Sequence, residues 1–183
     1  AQGIYDSDEQ VRVEGMAMRV YSGDERMARE LTMNSPAATL RLTENRAHSE
    51  AAIEIVGANF VISGIGWDWS GESKEIVVKH DALVKFTDGF AGALFDGGST
   101  GQVSDEKVQT IIQSERLVLR TTEDEYYFEF TGAVKAVTDE VDLQSEQLIA
   151  IADVPDGKED KAAVQISSEL NSIRQIIARE RMV

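Results

Sequence analysis

The chain predicts a mostly β protein of the sandwich, barrel or jelly-roll class, with little helix, and three observations carry that expectation. Long stretches alternate polar and apolar residues with β-branched types prominent, so the dominant hydrophobic period is 2 rather than 3.6. Only two prolines interrupt the 183 residues, Pro36 and Pro155. Three phrases recur at intervals of about 50 residues: Lys79-His80-Asp81-Ala82-Leu83-Val84, Phe130-Thr131-Gly132-Ala133-Val134-Lys135 and Ile177-Ala178-Arg179-Glu180-Arg181-Met182. Each runs from a β-type approach through a small or turn-forming residue into an apolar strand start, as one β unit repeated would. Such a stack offers an apolar trough and open edges, which suits holding or passing a ligand rather than catalysis.

Ten strands follow from the alternation in chain order: Ala52 to Val56, Phe60 to Ser63, Ile76 to Lys79, Leu83 to Phe86, Val108 to Gln113, Leu117 to Thr121, Tyr126 to Phe130, Val134 to Val137, Val141 to Ser145 and Leu148 to Ile151. Two segments carry helical signals. Ser22 to Asn34 is rich in helix formers, and Val164 to Ile177 spaces Ile166, Leu170, Ile173 and Ile177 near a helical period, predicting a short helix ahead of a final strand near Ile176. The glycines of Thr87 to Gln102 predict a hinge or long loop, and the charged run Pro155 to Lys161 a second loop. The expected organisation is a first β unit over 1–86, a connecting loop over 87–107 and a second β unit over 108–183, joined as one continuous fold.

Composition narrows the chemistry. With 18 basic against 33 acidic residues and a net charge of −15, the chain has the wrong sign for a phosphate backbone, so no nucleic-acid partner is expected. The absence of cysteine removes disulfides, thiolate metal sites and cysteine nucleophiles. No apolar run approaches the roughly 20 residues that a membrane-spanning helix needs. The first residues, Ala1-Gln2-Gly3, read as a chain after signal removal or as a trimmed one.

Catalytic templates fail one by one, and no enzyme and no cofactor is expected. His48 and His80 lack the further ligands of a zinc site. Ser63-Gly64 lacks the preceding glycine of a nucleophile elbow, and Gly64-Ile65-Gly66 lacks the last glycine and the helix of a dinucleotide fingerprint. Gly92 to Gly101 has no P-loop lysine. Asp68 and Glu72 beside Trp67 and Trp69 spell a glycosidase pair, yet among 33 acids such adjacency arises by chance. The acidic run Asp153 to Asp160 lacks the ligand spacing of a calcium loop. Trp67 and Trp69, two apart, share one side of a strand, either as core packing or as an aromatic rim on an apolar groove.

The string Phe60-Val61-Ile62-Ser63-Gly64-Ile65-Gly66-Trp67-Asp68-Trp69, followed by Lys74 to Phe86, resembles the OstA-like family of periplasmic lipopolysaccharide-transport proteins, the LptA and LptC type. Phe130 to Ile151 is similar to the next repeat of that family, and Ile173 to Met182 to the start of a third, with Asp81 and Glu180 where the family usually carries Gly or Asn. The resemblance implies an open antiparallel β-jelly roll of two facing sheets, whose inner faces hold acyl chains and whose end strands pair with other OstA-like domains. It further implies a periplasmic location, with a membrane anchor before residue 1 left open, and lipopolysaccharide or another long-chain lipid as partner.

On that reading the groove is lined by Ile53, Ile55, Phe60, Ile62, Trp67, Trp69, Ile76, Val78 and Leu83 from the first unit and by Leu117, Leu119, Phe128, Phe130, Val134 and Leu143 from the second. Pairs such as Phe60/Ile62 and Ile76/Val78 independently supply one apolar face per strand. A chain of a dozen carbons gains roughly 10 kcal/mol gross on burial, which outweighs repulsion of about 0.4 kcal/mol between one carboxylate and one phosphate 10 Å apart in water. The alternative is a carbohydrate-binding or scaffold β-sandwich stacking sugars on Trp67 and Trp69. Edge-to-edge assembly without a ligand is a further reading.

Overall fold

The structure, a computed structural model, describes residues 2–7, 10–21, 29–86, 109–122, 125–138, 142–153 and 173–179. Eleven strands make one sheet: β1 (Gln2–Ser7), β2 (Gln10–Tyr21), β3 (Arg29–Arg41), β4 (Arg46–Val56), β5 (Phe60–Ser70), β6 (Glu75–Phe86), β7 (Thr110–Ser114), β8 (Arg116–Thr121), β9 (Glu125–Val137), β10 (Asp142–Asp153) and β11 (Ile173–Arg179). Every pairing is antiparallel, and neighbours in the sheet follow chain order. β7 and β8 lie end to end, broken at Glu115, and both β6 and β9 pair with the two of them. The sheet thus runs unbroken from the expected first unit into the second. Among the described residues no helix is present, so none long and apolar enough to cross a membrane.

Most strands are twice as long as the sequence reading allows, because three expected pairs of short strands are each one strand with a crease in its middle and others extend beyond their expected ends. Phe60 to Ser63 continues to Ser70, Ile76 to Lys79 joins Leu83 to Phe86, Tyr126 to Phe130 joins Val134 to Val137, and Val141 to Ser145 joins Leu148 to Ile151 from Asp142 onward. Two of the recurring phrases mark the crease itself. Asp81 in β6 (φ 50°) and Gly132 and Ala133 in β9 (φ 79° and 44°) hold left-handed conformations there. Such residues turn a strand without ending it.

The crease preserves which face is apolar. Inward positions change parity in β5, from Phe60 and Ile62 to Trp67 and Trp69, and in β10, from Leu143 to Leu148 and Ala150. They keep parity in β6 (Ile76, Val78, Ala82, Val84) and in β9 (Phe128, Phe130, Val134, Ala136). Neighbours that differ in this way must slip by one residue at the crease, and they do, between Ser63 and Ile65 in β5–β6 and between Ser145 and Gln147 in β9–β10. A one-residue slip in a flat sheet would turn the core side chains outward, whereas here it keeps them inward on both sides of a bend. Serine hydroxyls donate to carbonyls at the bend: Ser114 and Ser145 to the oxygens of Arg116 and Gln147, two residues on, at 2.9 and 2.5 Å, and Ser35 shares its one proton between the oxygens of Ala37 at 3.0 Å and Ala52 at 2.8 Å. Pro36, exposed at the crease of β3, sits where the ladder to β4 is interrupted and no N–H is needed.

The crease folds the sheet into two leaves. β5 and β9 are separated by three strand spacings, about 14 Å along a flat sheet, yet the Phe60 ring lies 5.2 Å from Tyr126 and 5.1 Å from Phe128, edge to face. Only a sheet doubled onto itself allows that. The first leaf holds 16–21, 31–35, 52–56, 60–63, 82–86, 110–114, 134–137 and 142–145, and the described strand residues on the other side of the crease form the second. One continuous apolar core fills the space between them.

Helix propensity misleads at the N-terminal end. Within Ser22 to Asn34, residues 29–34 belong to β3, where Leu31 and Met33 alternate inward with 2% and 0% exposure, and burial of that face overrides local preference. β1 and β2, absent from the expected strands, pair with each other, and β2 pairs with β3. The final strand expected near Ile176 is β11, from Ile173; 22–28 and 164–172, on which the helical signals fall, the glycine-rich 87–102 and the charged 155–161 lie outside the described residues.

Candidate functional site

A cavity of about 260 Å³ opens between the leaves, at the strand ends away from the crease. Its apolar wall comes from both: Met18, Val20 and Leu31 from β2 and β3 of the first leaf, Trp69 and Ile76 from the second. Trp69 and Ile76 are directly opposed across β5–β6, so they form one surface. Met18 and Val20 are half-buried on the last strand of the first leaf, with no described strand beyond them, because β1 covers β2 only over 10–14.

Hairpin tips frame the mouth. Asn45 (φ 51°) ends the β3–β4 turn and Lys74 (φ 49°) the β5–β6 turn, and both line the cavity. The two tips are tied by the Gly71 N–H donating to the Asn45 carbonyl at 2.9 Å, and Thr121 N–H donates to the Lys74 carbonyl at 3.1 Å. A Cβ at Gly71 would fall 2.7 Å from Cγ of Asn45, so a larger residue there would displace the Asn45 side chain at the mouth. Arg19 and Lys74 are the charged residues on the cavity wall, both basic. Neither is in an ion pair among the described residues.

The outer surface is where the acids find partners. Lys79 Nζ lies 2.8 Å from Glu50 and 3.3 Å from Asp68, and the hydrogen bond from Lys79 holds the Glu50 carboxyl below the ordinary carboxylate range while Glu50 raises Lys79. Arg120 bonds Glu75 at 2.7 Å and lies over the Tyr127 ring, 5.6 Å from its centre, with its pKa raised chiefly by Glu75. Asp68, half of the spelled glycosidase pair, is thus engaged by Lys79. Among the described residues no three His, Asp or Glu side chains are grouped to hold a metal ion.

The residues expected to line an open groove lie mostly inside a packed core. Ile53, Ile55, Phe60, Ile62, Ile76, Val78, Leu117, Leu119, Phe128, Phe130 and Val134 are all at most 3% exposed, facing one another from the two leaves. Trp67 is wholly buried, its Nε1–H donating to Ser35 Oγ at 3.2 Å. Trp69 and Leu143 pack against the core from partly buried positions. Leu83 is misplaced by the expectation: its neighbours Ala82 and Val84 point inward, so period 2 turns Leu83 to the outer face. Of the expected lining, the cavity takes Trp69 and Ile76 and adds Met18, Val20 and Leu31. The alternation Met16, Met18, Val20 was the signal for these three strand positions on β2, and Leu31, Met33 that for β3.

Searched against protein-family models the chain matches none, and no curated protein is similar to it at a significant level.

Proposed function

We propose that the protein is a lipid-binding protein of lipopolysaccharide export in the periplasm, admitting acyl chain between its leaves at the Trp69 end. The observation that supports this reading is the apolar cavity between the layers, walled by Met18, Val20, Leu31, Trp69 and Ile76 and open at the hairpin tips. Each methylene moved from water into it contributes about 0.8 kcal/mol, so eight offer roughly 6 kcal/mol before the cost of ordering the chain. The bridging role draws on the leaf edges. Among the described residues no strand covers 16–21 of β2 or 142–145 of β10, and on this reading those edges receive a strand of another OstA-like domain. The sugar-stacking alternative is less well supported, because Trp67 is buried and tied to Ser35 and leaves Trp69 without a partner platform.

The test uses a phospholipid and a lipopolysaccharide with bromine on the acyl chain, read by quenching of tryptophan emission. Quenching in the wild type that is reduced in Trp69→Phe supports entry beside Trp69. Absence of binding by either lipid, with the β spectrum intact, removes the reading.

A further inference from the structure

We propose that the cavity selects one alkyl chain bearing an anionic head group, as in a fatty-acid carboxylate, and that Lys74 at the mouth is the residue that selects it. This rests on the lipid-binding reading and names the ligand class. Three observations converge on it.

The first is size. About 260 Å³ lies just under the roughly 300 Å³ at which pockets for drug-sized ligands begin, which suits one chain and not a bundle of several. Widening is opposed by the neighbouring core, where Phe60, Phe128 and Ile62 are at most 3% exposed and already in contact with side chains of the other leaf.

The second is charge. In a chain of net charge −15, an arbitrary patch of surface is acidic, yet the charged residues lining this cavity are Arg19 and Lys74. Acids beyond about 8–10 Å are screened at ordinary ionic strength, and of those on the hairpin tips Glu44 is paired with Arg41 and Glu75 with Arg120, which leaves Glu72 against Lys74 and Arg19. On the outer faces Lys79 is engaged by Glu50 and Asp68, Arg120 by Glu75 and Lys135 by Asp142, while Lys74 and Arg19 at the cavity, like Lys85, Arg46 and Arg116 elsewhere, have no ion-pair partner among the described residues.

The third is the amphipathic rim. Trp69 offers an indole that is part buried, and Tyr21 on the wall is 46% exposed, so a chain can leave its carbonyl end at the level of ring edges and water. Lys74 is held on a left-handed turn tied to β8 through its carbonyl, which fixes the backbone of the ammonium-bearing residue over the opening.

The experiment titrates the protein with three probes below their micellar concentrations: dodecanoate, dodecanol and dodecyltrimethylammonium. Affinity is read by tryptophan emission and calorimetry, with lipopolysaccharide as a separate arm. The expected result is an order dodecanoate, dodecanol, dodecyltrimethylammonium, with about tenfold between the first and last. Lys74→Glu removes the preference for the anion, Lys74→Arg retains it, and Val20→Trp, which fills the cavity from the edge strand, abolishes binding of all three. Equal affinities, an unaltered order in Lys74→Glu, or undiminished dodecanoate binding in folded Val20→Trp overturns the inference; if lipopolysaccharide still binds, the broader lipid reading survives. If no amphiphile and no lipopolysaccharide binds, both fall.

Discussion

Two regions between the leaves have the same architecture and opposite outcomes. Around Phe128 the facing positions carry rings, Phe60 and Phe86 edge-on at 5.1 and 5.2 Å, and on its own strand Tyr126 lies tilted at 6.4 Å and Phe130 stacks at 6.3 Å. Around Trp69 the facing positions carry Met18, Val20 and Leu31, on an edge strand and its neighbour. Aromatic rings reach across the gap between leaves and close it, and unbranched or short aliphatic side chains opposite an indole do not. The fold therefore supplies a space between layers everywhere, and local side-chain volume decides where it stays open. That is why a groove expected along the whole interior is confined to one end.

Truncating each region should separate them most sharply. Phe128→Ala removes a ring with no exposed surface and leaves a void bounded by other rings, costing about 3–5 kcal/mol of stability. Met18→Ala, half-buried beside space that already exists, loses only transfer energy, about 1 kcal/mol. Denaturant unfolding of both variants measures the difference, and equal losses would mean that the cavity region is packed as tightly as the aromatic one.

Next in size are changes at the crease on which both regions depend. A Cβ at Gly64 would clash with Val78 and fall 2.9 Å from the backbone oxygen of His80, a strand that cannot retreat without moving the second leaf. Gly64→Ala is expected to cost about 1–3 kcal/mol, as overpacking does. Ser35→Ala removes the hydroxyl that donates to Ala52 at 2.8 Å and accepts from the buried Trp67 indole, so one N–H is left without a partner. The expected loss is about 1–3 kcal/mol, with a shift in the Trp67 emission maximum that a merely global destabilisation would not give. An unshifted maximum would show that the indole has found another acceptor.

Much of this crease was already visible in the sequence, under another description. In the phrases around Asp81 and Gly132 apolar alternation halts and resumes, which predicts a strand ending and a new one starting. Residues in left-handed conformations produce the same local pattern whether the chain turns back or only bends, so periodicity cannot tell a hairpin from a crease. The mostly β class and the inward faces were legible because Phe60/Ile62, Ile76/Val78 and Phe128/Phe130 alternate cleanly. Leu83 failed for a simple reason, being next to two inward residues on a strand of period 2. The cavity was legible only in part. Trp69 and Ile76 lay on strands that alternation revealed, but Leu31 was hidden in a run of good helix formers, and which rings meet across the leaves depends on the fold and not on neighbours in the chain.

The smallest expected effect concerns the outer face, where Lys79 bridges Glu50 and Asp68 across β4, β5 and β6. Glu50 has its pKa lowered, so its contribution is present above the ordinary carboxylate range and is lost as pH falls through the depressed value. Lys79 has its pKa raised, so its contribution is present below the ordinary lysine value and is lost as pH rises through the raised one. Stability of the wild type relative to Lys79→Met should accordingly form a plateau across neutral pH that closes in acid and again in strong alkali. Solvent screening keeps that plateau low, since the carboxylate of Glu50 is exposed, and high salt should lower it further. Unfolding curves of the two proteins across the pH range give the difference directly. A gap that persisted unchanged in strong acid would mean that the charge on Glu50 is not its source, since methionine keeps most of the apolar stem that Lys79 lays beside Gly66, where its Cδ would lie 3.3 Å from an added Cβ.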